Sequence, residues 1–581
     1  MRANTSRANL TTAPLTMTPL TFAVGFAGAV AAAVPATVVG LRMNPDLFGA
    51  GLLNPDSAMR LVRLHDILAA HAPLHAVARD GASTVLHWSH LLDSLLLLLA
   101  APMAGALGWD RAVYYVGLLS GPLSLGALGL AMAWAAAPLA GRGWAWLGAV
   151  AAGASPAVAG YGMPGVVHHH ILLAVCAVMA CGWALRLLRG APPGSGGVAL
   201  GAWAGAGLWL SPETLPFSLM ALGALWAAWL QRPTVPRALL AASTSFAAVA
   251  AAAWAADPPV SGWFGVEPDR LSLPFVLLAL GAAAVAVLAR SVPRRAAVLV
   301  GGAVLAGSWL AAFPQVLHGT EGLMSAEAAA VFFGDITEMA PVRGAGEAVE
   351  MLLGGTFACA ALLVFAVRRP SLPLLHALLC SLVLVVLAAL HVRFAPYAAL
   401  AGAVMLPIAL ASITGGAVHV SLQPFARLAL VLPLLLAPIL VPTAATAEAA
   451  GPRHVCPIRG VDALLAPYDG QVVLTDVNDT PDVLYRSRVH TVGSLYHRGI
   501  DGFLLLRAAW RSVPDGEPSA AFRATGARLV LACPGHARSA LVEGLAHDTL
   551  LDRLIANEPP AWLHRVADAG PGGYVLYGVD P

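Results

Sequence analysis

Lysine is absent from all 581 residues, so each of the 33 basic side chains is an arginine. This excludes a Walker-type phosphate-binding lysine, a Schiff-base lysine and a polybasic lysine tail. Charge of either sign is scarce. Only 11% of residues are charged and the formal net charge is +2, whereas an ordinary soluble domain carries about 25% charged residues. No basic stripe offers a footprint for nucleic acid. Cysteine is also sparse, and four of the six, Cys176, Cys181, Cys359 and Cys380, fall in apolar stretches where they read as small packed hydrophobes. Cys456 and Cys533 lie in a polar tail and could pair if that tail occupies an oxidising compartment, although spacing alone does not give their separation. There is no solenoid repeat and no low-complexity tract beyond a bias to Ala, Gly and Leu.

What the chain has in excess is apolar length. Hydrophobic residues make up 58% of it, and the mean hydropathy is +0.75. Runs of about 20 apolar residues, enough to cross roughly 30 Å of hydrocarbon, recur from residue 18 to residue 446. The first, Leu20 to Leu41, follows Arg2 and Arg7; it is too long for a cleaved signal peptide and reads as a signal anchor. Arginines then mark one side of the membrane, because short cytoplasmic loops are enriched in them. Arg142, Arg186 with Arg189, Arg232 with Arg237, Arg290 with Arg294 and Arg295, Arg368 with Arg369, and Arg427 flank successive runs, two spans apart. This spacing predicts that 161–170, 211–214, 257–270, 318–350 and 391–393 share the opposite, outer side.

The count closes at thirteen crossings, near 18–42, 112–138, 144–162, 170–190, 197–211, 214–231, 238–256, 272–290, 296–313, 350–367, 372–391, 394–413 and 426–446. Leu91 to Leu107 is apolar enough to add another, but a crossing there would invert every later loop against the arginines. It is therefore expected to be re-entrant or half-buried on the outer face. The resulting organisation is a polytopic α-helical membrane domain over 1–446, with outer loops 43–111, 161–170 and 314–349. A soluble α/β domain over 447–581 follows, with strands near 471–475, 527–532 and 574–577 and a helical stretch near 536–556. A bacterial inner-membrane protein with a cytoplasmic N-terminus and a periplasmic C-terminal domain is expected.

Polar residues with chemical potential cluster on the outer side. The first loop contains Asn54-Pro-Asp56 and, later, His87-Trp88-Ser-His90-Leu-Leu-Asp93. Asp56 precedes a predicted helix, where it could be an N-cap, a metal ligand or a base. The second loop ends in His168-His169-His170. Neutral imidazoles bind divalent metals, but adjacent helical residues point about 100° apart, so all three are not expected to serve one ion. His168 and His170 converge only if the chain there is still extended; otherwise all are interfacial side chains. The loop 314–349 carries Gly334-Asp335-Ile-Thr337-Glu338, and a loop of this length commonly binds something or moves. Arg393, in His391-Val-Arg393, could grip a phosphate or simply reach toward the interface. Glu213 opens a span and could equally be a first-turn acid.

Taken in order, these pieces resemble the catalytic map of the GT-C membrane glycosyltransferases, most closely the catalytic subunits of bacterial and archaeal oligosaccharyltransferases. Asp56 matches that family's first-loop Asp, His168 to His170 fall on its Asp-X-Asp or Asp-His-His motif, Asp335-Ile-Thr337-Glu338 falls on its Thr/Ser-X-X-Glu motif, and Arg393 matches a late Arg. The stretch Asp56 to Asp93 also resembles a group of bacterial membrane proteins sharing an Asn-Pro-Asp, Met-Arg-Leu and His-Trp-Ser pattern. The resemblance implies thirteen spans, a periplasmic C-terminal domain and an inverting, metal-dependent transfer of a sugar or glycan from a polyprenyl phosphate or pyrophosphate to a periplasmic glycan, lipid or protein. It implies a divalent metal, Mg²⁺ or Mn²⁺, on Asp56, His168 and His170, catalytic roles for Asp56 and Glu338, and substrate contacts from Arg393, Glu213 and Trp88. Membrane lipids are the surrounding partner and nucleic acid is not one. Three departures stand out: His168 replaces the family's usual Asp, Asp335 replaces Thr or Ser, and the tail has no Trp-Trp-Asp-X-Gly. Transfer to lipid or to Ser/Thr from a monophosphate donor is the alternative chemistry, and a transporter or a scaffold that keeps the fold is the non-enzymatic one.

Overall fold

The computed structural model describes residues 19–580 apart from 44–46, 48–51, 53, 70–76, 82–83, 232–235, 335, 414–418, 441–455, 537–538 and 543. Each of the thirteen predicted crossings coincides with helix over most of its described residues, and 144–162 is divided at Ser155. The first is a pair, Pro19–Ala32 and Val34–Met43, broken at Ala33. Among the described residues, ten helices are long and apolar enough to cross a membrane, and the chain is a multi-pass membrane protein.

One of those ten is His90–Leu107, the stretch that the arginine pattern kept from crossing. Its two ends lie at the same end of the bundle. The His90 amide donates to Asp257 Oδ2 at 2.8 Å, in the loop after the helix Pro236–Ala256. At the other end Gly108, with φ of 79°, turns the chain directly into Trp109–Ala140. The first turns of that helix meet the first loop: Tyr114 donates to the Leu47 carbonyl, and His65 Nε2 lies 3.8 Å from Asp110. The helix therefore leaves and rejoins one face.

Arginines gather at the far end. Arg186 sits 3.4 Å over the Trp134 ring, Arg427 sits 5.4 Å over Trp144, and Arg295 donates to the Leu230 carbonyl at 2.6 Å. The loops predicted to oppose them do collect at the other end, as the site contacts below establish.

Small residues let the helices approach closely, as membrane interiors require where no hydrophobic gain separates helix from lipid. Gly197, Gly201 and Gly205 repeat at four-residue spacing along Pro193–Leu210 and face Pro236–Ala256. A Cβ on Gly201 would lie 2.1 Å from the Ala242 carbonyl oxygen.

The C-terminal domain holds a five-stranded sheet in the order β2-β1-β3-β5-β4. β1 (Val472–Leu474) runs parallel to β2 (His490–Thr491) and β3 (Leu529–Ala532), and β5 (Val575–Val579) runs antiparallel to β3 and β4 (Leu563–Asp568). Three of these strands match the predicted runs; β2 and β4 were not foreseen. Among its described residues the predicted helix near 536–556 is divided into the turn Ala540–Val542 and the helix Leu550–Ile555, with Gly544 at positive φ between them. A disulfide joins Cys456 to Cys533. The loop 314–349 docks on this domain through Phe332, which meets Phe503 edge-to-face at 5.2 Å.

Two outcomes test the packing. Gly201→Ala should cost about 1–3 kcal/mol through overpacking and lower the thermal unfolding midpoint in detergent, whereas Gly194→Ala, which meets nothing within 4 Å, should not. Burial pushes the Asp482 carboxyl up to about 7 against the opposing charge of Arg486. A group raised in the folded state gives stability that is complete below its unfolded pKa and is lost as pH rises through the folded one. Asp482→Asn should therefore leave the midpoint unchanged near pH 4 and raise it relative to the parent above pH ~7.

Candidate active site

The helix Pro55–Ala69 sets the first element of the site. Asn54 Oδ1 accepts the Ser57 amide at 2.8 Å and so caps the helix, which leaves Asp56 free of capping duty. Ser57 Oγ accepts the Val167 amide at 2.8 Å and draws the second loop alongside. His168 Nε2 then meets Asp56 Oδ2 at 2.7 Å, and His168 Nδ1 faces His170 Nδ1. The chain becomes helical only at His170. One nitrogen of each of His168, His169 and His170 lies within 4.8 Å of the others. The structure therefore brings the three rings together, where helical spacing was expected to splay them. Burial pushes the His169 imidazole well below its usual range, and the neighbouring His168 adds to it, which keeps His169 a neutral nitrogen donor.

The second element reaches in from the long loop. Tyr161 stacks on His170 at 4.8 Å and donates to Glu338 Oε1 at 3.2 Å. Glu338 lies in the short turn Thr337–Met339, which the later helices hold: His391 Nδ1 donates to the Met339 carbonyl at 2.9 Å and the Val392 amide to the Ala340 carbonyl at 3.1 Å. The same pairing brings up Arg393, whose guanidinium forms an ion pair with Glu213 at the turn Pro212–Thr214. Asp335 lies outside the described residues, and the Thr337 side chain is not among those described. His170 Nε2, Tyr397 Oη and Arg393 Nε are buried without a partner among the described residues. His170, Tyr161 and Tyr397 line a small cavity that is otherwise apolar, with Leu128, Ile171 and Leu400 in its wall.

The third element comes from the C-terminal domain, and nothing in the sequence pointed to it. Tyr496 donates to Asp56 Oδ1 at 2.9 Å, so Asp56 is held from both sides. Burial alone would raise the Asp56 carboxyl. Hydrogen bonds from His168 and Tyr496 and the nearby charges of His168 and Arg60 outweigh it and bring the pKa down to about 2. Arg498 grips Asp269 through two nitrogens at 2.6 and 2.7 Å and Glu267 at 2.5 Å, while His497 Nε2 meets Asp269 Oδ2 at 2.7 Å. Trp88 packs behind this corner, edge-on to Tyr496 at 5.3 Å and beneath the Arg60 guanidinium at 4.1 Å, and is only 6% exposed. Its place is in the supporting wall. The tripeptide Tyr496-His497-Arg498 is in a short turn before the helix Ile500–Arg511, where its sequence has the look of an ordinary polar loop.

Ten helices long and apolar enough to cross a membrane among the described residues, a long loop docked on a C-terminal α/β domain, and polar residues converging at one end define a polytopic helical membrane protein. The sequence matches no protein-family model and no curated protein. Solved structures do match. The archaeal oligosaccharyltransferase AglB from Archaeoglobus fulgidus, in complex with an inhibitory peptide and a dolichol-phosphate, superposes with a TM-score of 0.66 over 88% of this chain and 69% of its own, at 14% identity. The Archaeoglobus fulgidus enzyme complexed with Zn and sulfate gives 0.64, with 95% and 72% coverage at 13% identity. The form tethered to an acceptor peptide containing the NVT sequon gives 0.65, with 95% and 74% coverage at 13% identity. At this identity the likeness establishes the fold.

Arg498→Ala would leave Asp269 and Glu267 buried without their cation, at a cost of about 3–5 kcal/mol. It should lower the unfolding midpoint and speed proteolytic release of the C-terminal domain. Arg498→Lys should recover only part of the loss, because an ammonium does not reproduce the two-nitrogen grip.

Proposed function

We propose that this protein is an oligosaccharyltransferase-like glycosyltransferase of the bacterial inner membrane, in which 1–446 form the membrane domain and 447–581 a periplasmic one. It would move a sugar or glycan from a polyprenyl phosphate or pyrophosphate to a periplasmic glycan, lipid or protein. The observation that carries this is the meeting of Asp56, His168 to His170, Glu338 and Arg393 at one end of a GT-C fold, opposite the arginine-rich end. The arginines support a cytoplasmic far end, and the Cys456–Cys533 disulfide supports an oxidising compartment for the C-terminal domain. The solved complexes with dolichol-phosphate and with an acceptor peptide support a lipid-linked donor and an acceptor entering the same region.

The donor set fits a divalent cation: Asp56 stays ionised, three imidazole nitrogens lie close together, and His170 Nε2 is buried without a protein partner. Asp56, His168 and His170 would hold it, with His169 in reach. A set this rich in nitrogen suits Mn²⁺ or Zn²⁺ better than Mg²⁺. When bound, such an ion supplies positive charge where negative charge develops on the leaving phosphate. Arg393 is fixed by Glu213 and offers its remaining guanidinium donors to the same phosphate. Asp56, at about 2, is too weak a base for a hydroxyl or amide proton. Glu338, hydrogen-bonded by Tyr161, is placed to take that proton. The acceptor atom bonds to the anomeric carbon as the carbon–oxygen bond to phosphate breaks, and the sugar inverts.

The test compares periplasmic glycans, lipids and proteins by mass spectrometry in a deletion strain and its parent. Reintroduced wild type should restore any lost glycoconjugate. Asp56→Ala should restore none while still eluting as a folded protein, and Arg393→Ala should lose roughly 100-fold in rate. Identical profiles in the deletion strain and its parent while the protein is expressed, or full restoration by Asp56→Ala, would remove the proposal.

A further inference from the structure

A second set of metal-ligating side chains lies at the seam between the helical part and the C-terminal domain. His87 comes from the first loop, Asp269 from the loop between the helices Pro236–Ala256 and Leu273–Ser291, and His497 from the turn that opens Ile500–Arg511. One donor atom of each lies within 4.8 Å of the other two. The two imidazole rings are 4.5 Å apart between centroids, and His497 Nε2 is 2.7 Å from Asp269 Oδ2. His87 Nδ1 is buried without a partner among the described residues. A buried nitrogen in that state costs free energy unless something fills the place of the missing partner.

The charges near the cluster leave room for a cation. Arg498 is the only arginine bonded to Asp269 and Glu267 among the described contacts, and it bonds both, while His497 also meets Asp269. The single guanidinium charge is set against two carboxylates beside the two imidazoles.

We propose that His87, Asp269 and His497 form a second divalent-metal site, distinct from the histidine run, that takes Zn²⁺ and ties the C-terminal domain to the helical part. Two neutral imidazoles and one carboxylate are a common zinc donor set, with the fourth position open to water. Nitrogen donors select against Mg²⁺ and Ca²⁺, which prefer oxygen. The ligands come from three segments far apart in sequence, so bound metal would stabilise the docked arrangement of the two parts.

The experiment uses the full-length protein in detergent, stripped with a chelator and titrated with Zn²⁺. Bound metal is counted by elemental mass spectrometry and the unfolding midpoint is followed alongside. The double variant His168→Gln/His170→Gln removes two nitrogen donors of the first cluster, so the result does not depend on whether that cluster binds metal. This variant should still bind one equivalent of Zn²⁺ and gain several degrees in its midpoint. Adding His87→Gln should weaken that binding roughly tenfold or more and abolish the thermal gain. In the otherwise native protein, His87→Gln should likewise lose one equivalent of bound Co²⁺ and its visible absorption, which keeps the test valid should the double variant not fold. Failure of the double variant to bind Zn²⁺ when folded, or equal binding with and without His87, would overturn the site.

Discussion

The Asp56 carboxylate is shared. One oxygen faces His168 at the end of the second loop and the other accepts the Tyr496 hydroxyl of the C-terminal domain, at 2.7 and 2.9 Å. A charge half-buried at a membrane boundary survives only if it is paired and hydrogen-bonded, and here the pairing draws three distant segments to one point. The rest of the polar face follows from the same constraint. Tyr161 links the histidines to Glu338, Glu213 holds Arg393, and Arg498 bridges Asp269 and Glu267. Each of these contacts both meets a desolvation requirement and places a functional group.

Much of the architecture was legible because it rests on local and periodic features. Spans of about 20 apolar residues follow from bilayer thickness, and arginine spacing fixed which loops face together. The same two facts assigned Leu91 to Leu107 to a helix that does not change sides, and the bonds at His90 and at Trp109 to Tyr114 agree. The strands at 472–474, 529–532 and 575–579 were visible as β-branched and aromatic runs. The helix near 536–556 was overread, since apolar periodicity there ignores Gly544, held at positive φ.

At the site, the residues foreseen from order and sidedness, Asp56, His168, His170, Glu338, Glu213 and Arg393, do meet. What sequence could not supply was the backbone state of single residues and the identity of remote partners. His169 lies beside its neighbours at the start of the helix His170–Leu188, a proximity that spacing along the chain does not reveal. Asp56 escapes capping because Asn54 does that work. Tyr496, His497, Arg498 and Asp269 carry no local signal, because their meaning lies wholly in contacts across more than 200 residues. Trp88, expected at an open surface, is walled in by Arg60 and Tyr496.

The 440-residue separation of Tyr496 from Asp56 also orders events during biosynthesis. At ribosomal speeds of about 5–20 residues per second, roughly 20–90 s elapse between the emergence of the two. Once His168, 112 residues after Asp56, has followed, the nascent chain has its carboxylate and histidines but lacks the hydroxyl and the Arg498 clamp that complete their setting. A truncated or stalled product would therefore keep a nearly intact helical bundle and an unfinished site, so that full-length translation itself acts as the last assembly step.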